Sequence, residues 1–342
     1  MKAFSGAQAL VMKIGGSCFG GLPDYHRNAE SLARFQQLAG VRLVLVVSAA
    51  KGKTDELIIE AREDFPGDPW SQARLVAEGE DISARQLFAE LAKLSAQAQI
   101  ISATDIDLLG WGGDDPFNGD LLGVSADKLL RIVEQASITV VPGYYAIDKV
   151  RRRRVLLGRG ATDLIAVSLA GALGADCLFC KDGGGVYVFD PRLAQPKRSP
   201  KQISRLSYDQ AHGFASSGHG FLMPKSLLLA KQKGVKLYFV PSPAAENAWQ
   251  VGAVIGKEPA DDGVFVGVQA HAYLNAVSCA CITVTQWGEV HLNGRLEELV
   301  SSCVKPFAMR VSGGQTKIYL PARDIQPLVD KLSCELNLLE PA

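Results

Sequence analysis

Gly158-Arg159-Gly160-Ala161-Thr162-Asp163, followed by Cys180-Lys181-Asp182-Gly183-Gly184-Gly185-Val186-Tyr187 and Asp190-Pro191-Arg192, is the stretch whose reading decides the fold. Gly158 and Gly160 carry no Cβ, so the backbone there can approach a ligand closely. Arg159 offers a planar fork of donors suited to a carboxylate or phosphate. Thr162 or Asp163 is expected to cap a helix whose first amides point at an anion. That helix reads from Leu164 to about Leu173, rich in Ala and Leu, with Gly174 as its stop. A buried strand, Cys177-Leu178-Phe179-Cys180, follows and ends in Asp182 and a glycine triplet. In open α/β sheets ligands sit at such carboxyl ends of strands. Two charged, glycine-bearing loops therefore flank one helix.

Outward from this stretch the chain alternates apolar strands with helices. Ala9 to Ile14 reads as a first strand containing Lys13 and stopping at Gly15-Gly16-Ser17, whose glycines free amides for a phosphate. The plainer alternative is a strand ending in a turn with Lys13 in water. Asn28 to Leu38 reads as an amphipathic helix, and the continuous apolar run Val41 to Val47 as a strand covered on both faces. Ser48 to Thr54 follows, and Thr54 can equally be the N-cap of the next helix. Ser71 to Leu94 reads as one long helix containing Gly79-Glu80-Asp81. A mid-helix glycine costs about 1 kcal/mol against alanine, which favours a specific reason for Gly79. Gly110 to Gly123 reads as a polar loop, Ala126 to Glu134 as a helix, and Thr139 to Val141 as a strand before Pro142-Gly143. Arg151 to Arg154 are four consecutive arginines in a hairpin, for which a solvated face is favoured over an anion site. Ser207 to Phe214 is a helix and Val235 to Val240 a closing strand.

These residues resemble the amino acid kinase family, most closely its aspartokinase branch. The family's Lys-x-Gly-Gly-Thr-Ser opening corresponds to Lys13, Gly15, Gly16 and Ser17. Its Gly-Arg-Gly-Gly-Ser-Asp substrate loop corresponds to Gly158 to Asp163, and its nucleotide segment to Lys181 through Arg192. The resemblance implies a three-layer αβα sandwich on a mainly parallel sheet. It implies ATP-dependent phosphorylation of an amino acid's side-chain carboxylate, L-aspartate to 4-phospho-L-aspartate, with ATP and Mg2+. Lys13 and Asp163 would be catalytic. Ser48, Thr54, Glu80, Arg159 and Thr162 would bind the amino acid, Glu80 at its amine and Arg159 at its α-carboxylate. Lys13, Gly15, Gly16, Ser17, Lys181, Asp182, Tyr187 and Arg192 would bind ATP, and no protein ligand to the metal is assigned. The family's Gly-Ala-Lys-x-Leu-His-Pro motif departs most: its lysine falls on Gly220 and its histidine on Met223. Lys181 or Lys225 could replace that cation, and Lys181 is preferred because it stands at a strand end. The departures keep two alternatives open, a kinase of this fold with another acceptor and a non-catalytic ligand sensor.

From Gly263 the order is strand, strand, helix, hairpin, helix, similar to one ACT module of the kind that follows aspartokinase catalytic domains. The expected organisation is a catalytic domain over 1–250 and an ACT-like regulatory or dimerisation domain over 263–342, in a homodimer or larger homo-oligomer. Thirty-six basic and 36 acidic residues leave no net charge among 342 residues, so neither nucleic acid nor an anionic membrane is expected as partner. No run of about 18 apolar residues occurs, and the first residues lack a signal-peptide layout. Seven cysteines, scattered in apolar segments, fit reduced thiols of a cytoplasmic protein rather than a zinc or redox centre.

Overall fold

The structure is a computed structural model. It describes residues 8–94, 96–181, 183–194, 198–217, 221–258, 263–274, 277–287, 292–312 and 314–340. Two compact units emerge, the first from residues up to 184 together with 228–254, the second from 185–227 and 255–342.

The first unit follows from its apolar runs. Strand β1 (Ala9–Ile14) leads to α1 (Leu22–Ala39), β2 (Arg42–Val47), α2 (Lys53–Asp64), α3 (Pro69–Lys93) and β3 (Ala98–Ile100). Next come β4 (Leu109–Trp111), β5 (Asp120–Gly123), α4 (Ala126–Val133), β6 (Ile138–Pro142), β7 (Tyr145–Asp148), β8 (Arg154–Leu156), α5 (Ala161–Leu173) and β9 (Cys177–Cys180). The chain then passes through β10 (Val186–Tyr187), β11 (Gln202–Ile203), β12 (Arg205–Ser207) and α6 (Tyr208–Ser216) of the second unit. Helix α7 (Pro224–Lys233) carries it back to β13 (Leu237–Val240), and β14 (Ala253–Gly256) leads out again.

Six parallel strands of this unit lie in the order β13-β9-β1-β2-β6-β3. The central strands are covered on both faces, which is why they read as largely apolar runs rather than alternating, whereas the edge strand β3 is partly exposed. Leu10, Met12 and Ile14 pack with Leu43, Leu45 and Val47 against Leu32 and Phe35 of α1 and Leu87 and Leu91 of α3. The intervening residues of β1, Lys13 among them, face the side on which α5 packs.

Several expectations are corrected. Helix α1 begins at Leu22 rather than Asn28, because Pro23 fits the first turn, where no amide partner is needed. Residues 109–123 are not a plain loop. Strands β4 and β5 pair antiparallel there, within a sheet ordered β5-β4-β7-β8. Their glycines serve contact: a Cβ on Gly110, Gly112 or Gly119 would lie 2.5–2.9 Å from the Val155 side chain. Neither Thr162 nor Asp163 caps α5, since Gly160 occupies that position with φ +82° and both residues lie buried inside the first turn. Thr54 is no cap either, because Gly52 takes that place at φ +85°.

The second unit carries a four-stranded antiparallel sheet built from β15 (Gly263–Leu274), β16 (Val277–Trp287), β17 (Ala308–Ser312) and β18 (Gln315–Leu320). Their order is β15-β16-β18-β17, and helices α8 (Asn293–Cys303) and α9 (Ile325–Glu335) alternate with the strands along the chain. Ser207 caps α6 in a reciprocal capping box with Gln210. Among the described residues no helix is long and apolar enough to cross a membrane.

Candidate functional site

Strand register fixes where the site lies. Ile14 pairs with both Val47 and Cys180, Val47 with Pro142, and Cys180 with Val240. Five parallel strands therefore end at one level, and at about 4.8 Å per step the row spans roughly 19 Å. The loops that follow β1, β2 and β9 hold Gly15, Gly16, Ser17, Ser48 and Lys181.

Lys13 projects from β1 toward the start of α5, where its Nζ lies 3.0 Å from Asp163 Oδ1. The two side chains are 12% and 7% exposed. Gly15 sits directly over this pair, because a Cβ there would stand 3.5 Å from Lys13 Nζ. The Gly15 amide is already donated to the Cys180 carbonyl at 3.2 Å, so it is not among the free amides the sequence suggested. Gly16 is required by close approach: its Cβ would lie 2.4 Å from the Ala49 carbonyl oxygen. Ser17 is exposed in the same turn. The 15–17 and 48–52 loops are thus locked together, with the Ser48 amide donating to Ile14 at 3.1 Å. Thr54 lies half-buried in the first turn of α2.

Glu80 is buried on α3. Its Oε1 accepts from the Ala49 amide at 3.1 Å, and its Oε2 has no hydrogen-bond partner among the described residues. Burial pushes the carboxyl up to about 8, against the opposing effect of the Ala49 amide. Gly79 lets α3 come this close, since a Cβ would stand 3.0 Å from both Ala49 Cβ and Leu57 Cδ1. Thr162 packs under Gly143, whose absent Cβ would fall 2.5–2.9 Å from the threonine side chain.

Arg159 is largely exposed, and its Nη2 is held by Asp55 Oδ1 at 2.8 Å. Asp55 was not singled out in the sequence, nor was Tyr144, which adopts φ +67° next to Gly143. Burial raises the Tyr144 phenol, Glu80 raises it further and Arg159 lowers it. One buried ring thus lies within electrostatic reach of both charges expected to hold an amino acid. Neither carried a sequence signal: the Arg159–Asp55 contact spans 104 residues, and the left-handed backbone of Tyr144 shows only in the fold.

Lys181 follows β9, with its amide donated to Val240 at 3.1 Å and its Nζ 5.7 Å from the centroid of the Phe239 ring. Burial lowers its ammonium to about 8, with Asp163 acting in the opposite sense. Asp182 and Gly218 to Gly220 lie outside the described residues. Tyr187 and Arg192 belong to the second unit, as does Lys225. There Tyr187 pairs with Gln202, and Arg192 folds onto its own neighbour Asp190, Nη2 to Oδ2 at 2.6 Å. Cys177 and Cys180 are buried, and burial raises both thiols well above their ordinary range.

A row of flush strand ends carrying paired charges beside glycine-tight turns is the place where open α/β sheets take small charged ligands, and that defines the class. The chain belongs to the amino acid kinase family, whose sequence model matches residues 8–241. Among curated proteins it is similar to the aspartokinase of Helicobacter pylori, 32% identical over 231 residues, which are 67% of this chain and 55% of the other. It is also similar to that of Thermus thermophilus, 34% identical over 237 residues with the same two shares, 67% and 55%. The chain thus spans about 55% of the length of these relatives. In fold it is similar to Escherichia coli aspartokinase III in complex with aspartate and ADP, with a TM-score of 0.67 at 18% identity, covering 97% of this chain and 85% of that one.

Proposed function

We propose that this protein transfers the γ-phosphoryl group of ATP to the side-chain carboxylate of L-aspartate, giving ADP and 4-phospho-L-aspartate. The observation that carries the reading is Glu80, a buried carboxyl with one oxygen satisfied by an amide and the other left without a partner. A buried acceptor without a donor is costly, and a substrate ammonium would supply the donor. Arg159, released from Asp55, would take the α-carboxylate in a bidentate grip. Ser48, Thr54 and Thr162 would complete that pocket. The aspartokinase relatives, and the fold shared with an enzyme solved with aspartate and ADP, support this substrate pair.

Lys13 stabilises the negative charge that develops on the transferred group, and Asp163 holds its ammonium in place. Lys181 adds a second cation at the same edge, standing in for the lysine that the family motif would put at Gly220. Gly15, Gly16 and Ser17 shape the turn beneath the phosphates, and Asp182, Tyr187 and Arg192 would contact the nucleotide. Among the described residues no cluster of three or more metal-ligating side chains exists. A magnesium ion would be carried by the triphosphate, and Asp163 would orient Lys13 or a water of that ion. When bound, the ion neutralises phosphate charge.

The attacking group is a carboxylate, ionised at neutral pH, so no general base is needed. Its oxygen forms the new P–O bond, the bond from the γ-phosphorus to the bridging oxygen breaks, and the electron pair leaves on ADP. Catalysis is alignment plus charge neutralisation. Residues 1–250 form the catalytic domain in this reading, and 263–342 an ACT-like module for regulation or dimerisation, in a cytoplasmic homo-oligomer.

The test is ADP release by the full chain with Mg-ATP across a panel of amino acids. ADP formed with aspartate alone, and reduced about 100- to 1,000-fold by Lys13→Ala, supports the reading. ADP formed only with another acceptor, or with none, overturns it.

A further inference from the structure

Arg151, Arg152 and Arg153 are exposed, as the sequence favours, and Arg154 is half-buried; the solvated face is nonetheless gathered around a cavity. The β7–β8 hairpin brings the run against α3, where Arg152, Arg153 and Arg154 meet Arg74 and Arg85 around a cavity of about 600 Å³. The lining carboxylates are Glu78 and Asp81. Five guanidinium groups against two carboxylates leave an excess of three positive charges.

The carboxylates are already engaged. Asp81 Oδ2 lies 2.6 Å from Arg154 Nη1, and its Oδ1 accepts from the Tyr145 hydroxyl at 2.7 Å. Glu78 is at 3.8 Å from Arg74 Nη1, an exposed and weak pair. Among the described residues no carboxylate lies within ion-pair distance of Arg85 or Arg152. The hairpin that presents the arginines is rigid. Asp148 Oδ1 accepts from the Val150 and Arg151 amides at 3.0 and 2.6 Å, and its Oδ2 from Gly112 at 2.9 Å. Arg152 itself sits at φ +55°, a left-handed conformation that a residue with a Cβ seldom adopts. Arg151 and Arg153 stack over Trp70 at 4.9 and 5.7 Å, which fixes the flanks.

We infer that this cavity is a second ligand site, one that binds a small anion of the polyphosphate class. Planar guanidinium forks match phosphate oxygens bidentately. The volume falls within the range of small-molecule sites, about 300–1,000 Å³. An excess of three positive charges asks for a ligand with several negative charges rather than one. The site belongs to the first unit alone and shares α3 with Glu80, one residue from Asp81. It does not depend on the reaction proposed above.

The probe is inorganic tripolyphosphate, titrated calorimetrically into the full chain at low salt. Wild type and an Arg85→Ala/Arg152→Ala double variant are compared. Both side chains are exposed and belong to no catalytic or substrate-binding group. Any binding at the sheet edge is common to the two proteins and cancels. Wild type is expected to show a binding event that the double variant weakens at least tenfold. The event should fade as salt rises from 50 to 300 mM, and Arg85→Lys/Arg152→Lys should retain only part of it, since lysine keeps the charge and loses the fork. Superimposable isotherms for wild type and the alanine variant would overturn the proposal. So would a site that binds poly-glutamate and not tripolyphosphate, since its occupant would then be an acidic peptide.

Discussion

Arg159 holds Asp55 across 104 residues of chain, Nη2 to Oδ1 at 2.8 Å. The pair is 84% and 67% exposed, so it is a weak latch that a substrate carboxylate can open. Asp55→Asn removes the competitor and leaves Arg159 its charge. The expected result is a KM for the amino acid lowered about two- to fivefold, the equivalent of under 1 kcal/mol. Steady-state kinetics check it, and a KM that rises would make Asp55 part of the pocket instead.

Glu80 gives the site a pH dependence with a definite sign. Its carboxyl is raised from 4.5 to about 8 by burial, and it must ionise to hold an ammonium. The KM for the amino acid should therefore fall as pH rises toward 8, by up to about tenfold per unit well below that value. In Glu80→Gln the KM should be flat with pH and about 100-fold higher, for the loss of one charge-assisted hydrogen bond.

The same shift acts on stability. The folded value lies above the unfolded one, so the native state binds the proton more tightly. That contribution is complete below about 4.5 and is lost as pH rises through about 8. Glu80→Gln should melt higher than wild type at pH 8.5 and converge with it near pH 4.5. Thermal denaturation across that range reads the difference.

Lys181 is lowered to about 8 by burial, so it carries its charge below that pH and loses it above. The kcat/KM for ATP should decline above pH 8 in wild type, and the decline should vanish in Lys181→Arg. Lys181→Ala should lower both nucleotide affinity and rate. An unchanged rate and affinity would show that another group replaces the cation missing at Gly220.

Gly16→Ala would push a Cβ to 2.4 Å from a backbone oxygen that cannot swing away. The 15–17 turn must shift, so the melting temperature should drop by several degrees for a loss of about 1–3 kcal/mol. ATP affinity should fall with it, whereas an alanine at exposed Gly40 of the α1 C-cap would affect stability alone.

The fold was legible because buried parallel strands write themselves as unbroken apolar runs, such as Arg42 to Val47. Lys13 and Asp163 were legible because the strand-turn and loop-helix junctions that hold them are local. The β4–β5 hairpin was hidden by glycines that exist to admit Val155, a contact 35 or more residues away in sequence. The caps at Gly52 and Gly160 were missed because a left-handed glycine displaces the side-chain cap that threonine would provide. Asp55 was invisible because only tertiary structure brings it to Arg159. The solvated face of Arg151 to Arg153 was legible, but the approach of Arg74 and Arg85 to Arg152, Arg153 and Arg154 was not, because those two come from another element.

The most direct test is trapping the acyl phosphate. The chain is incubated with Mg-ATP, L-aspartate and hydroxylamine, and aspartyl hydroxamate is measured alongside ADP. Hydroxamate and ADP should appear in equal amounts, and neither should form without aspartate. ADP released without hydroxamate, or no turnover with aspartate at any concentration, would contradict phosphoryl transfer to the aspartate side chain.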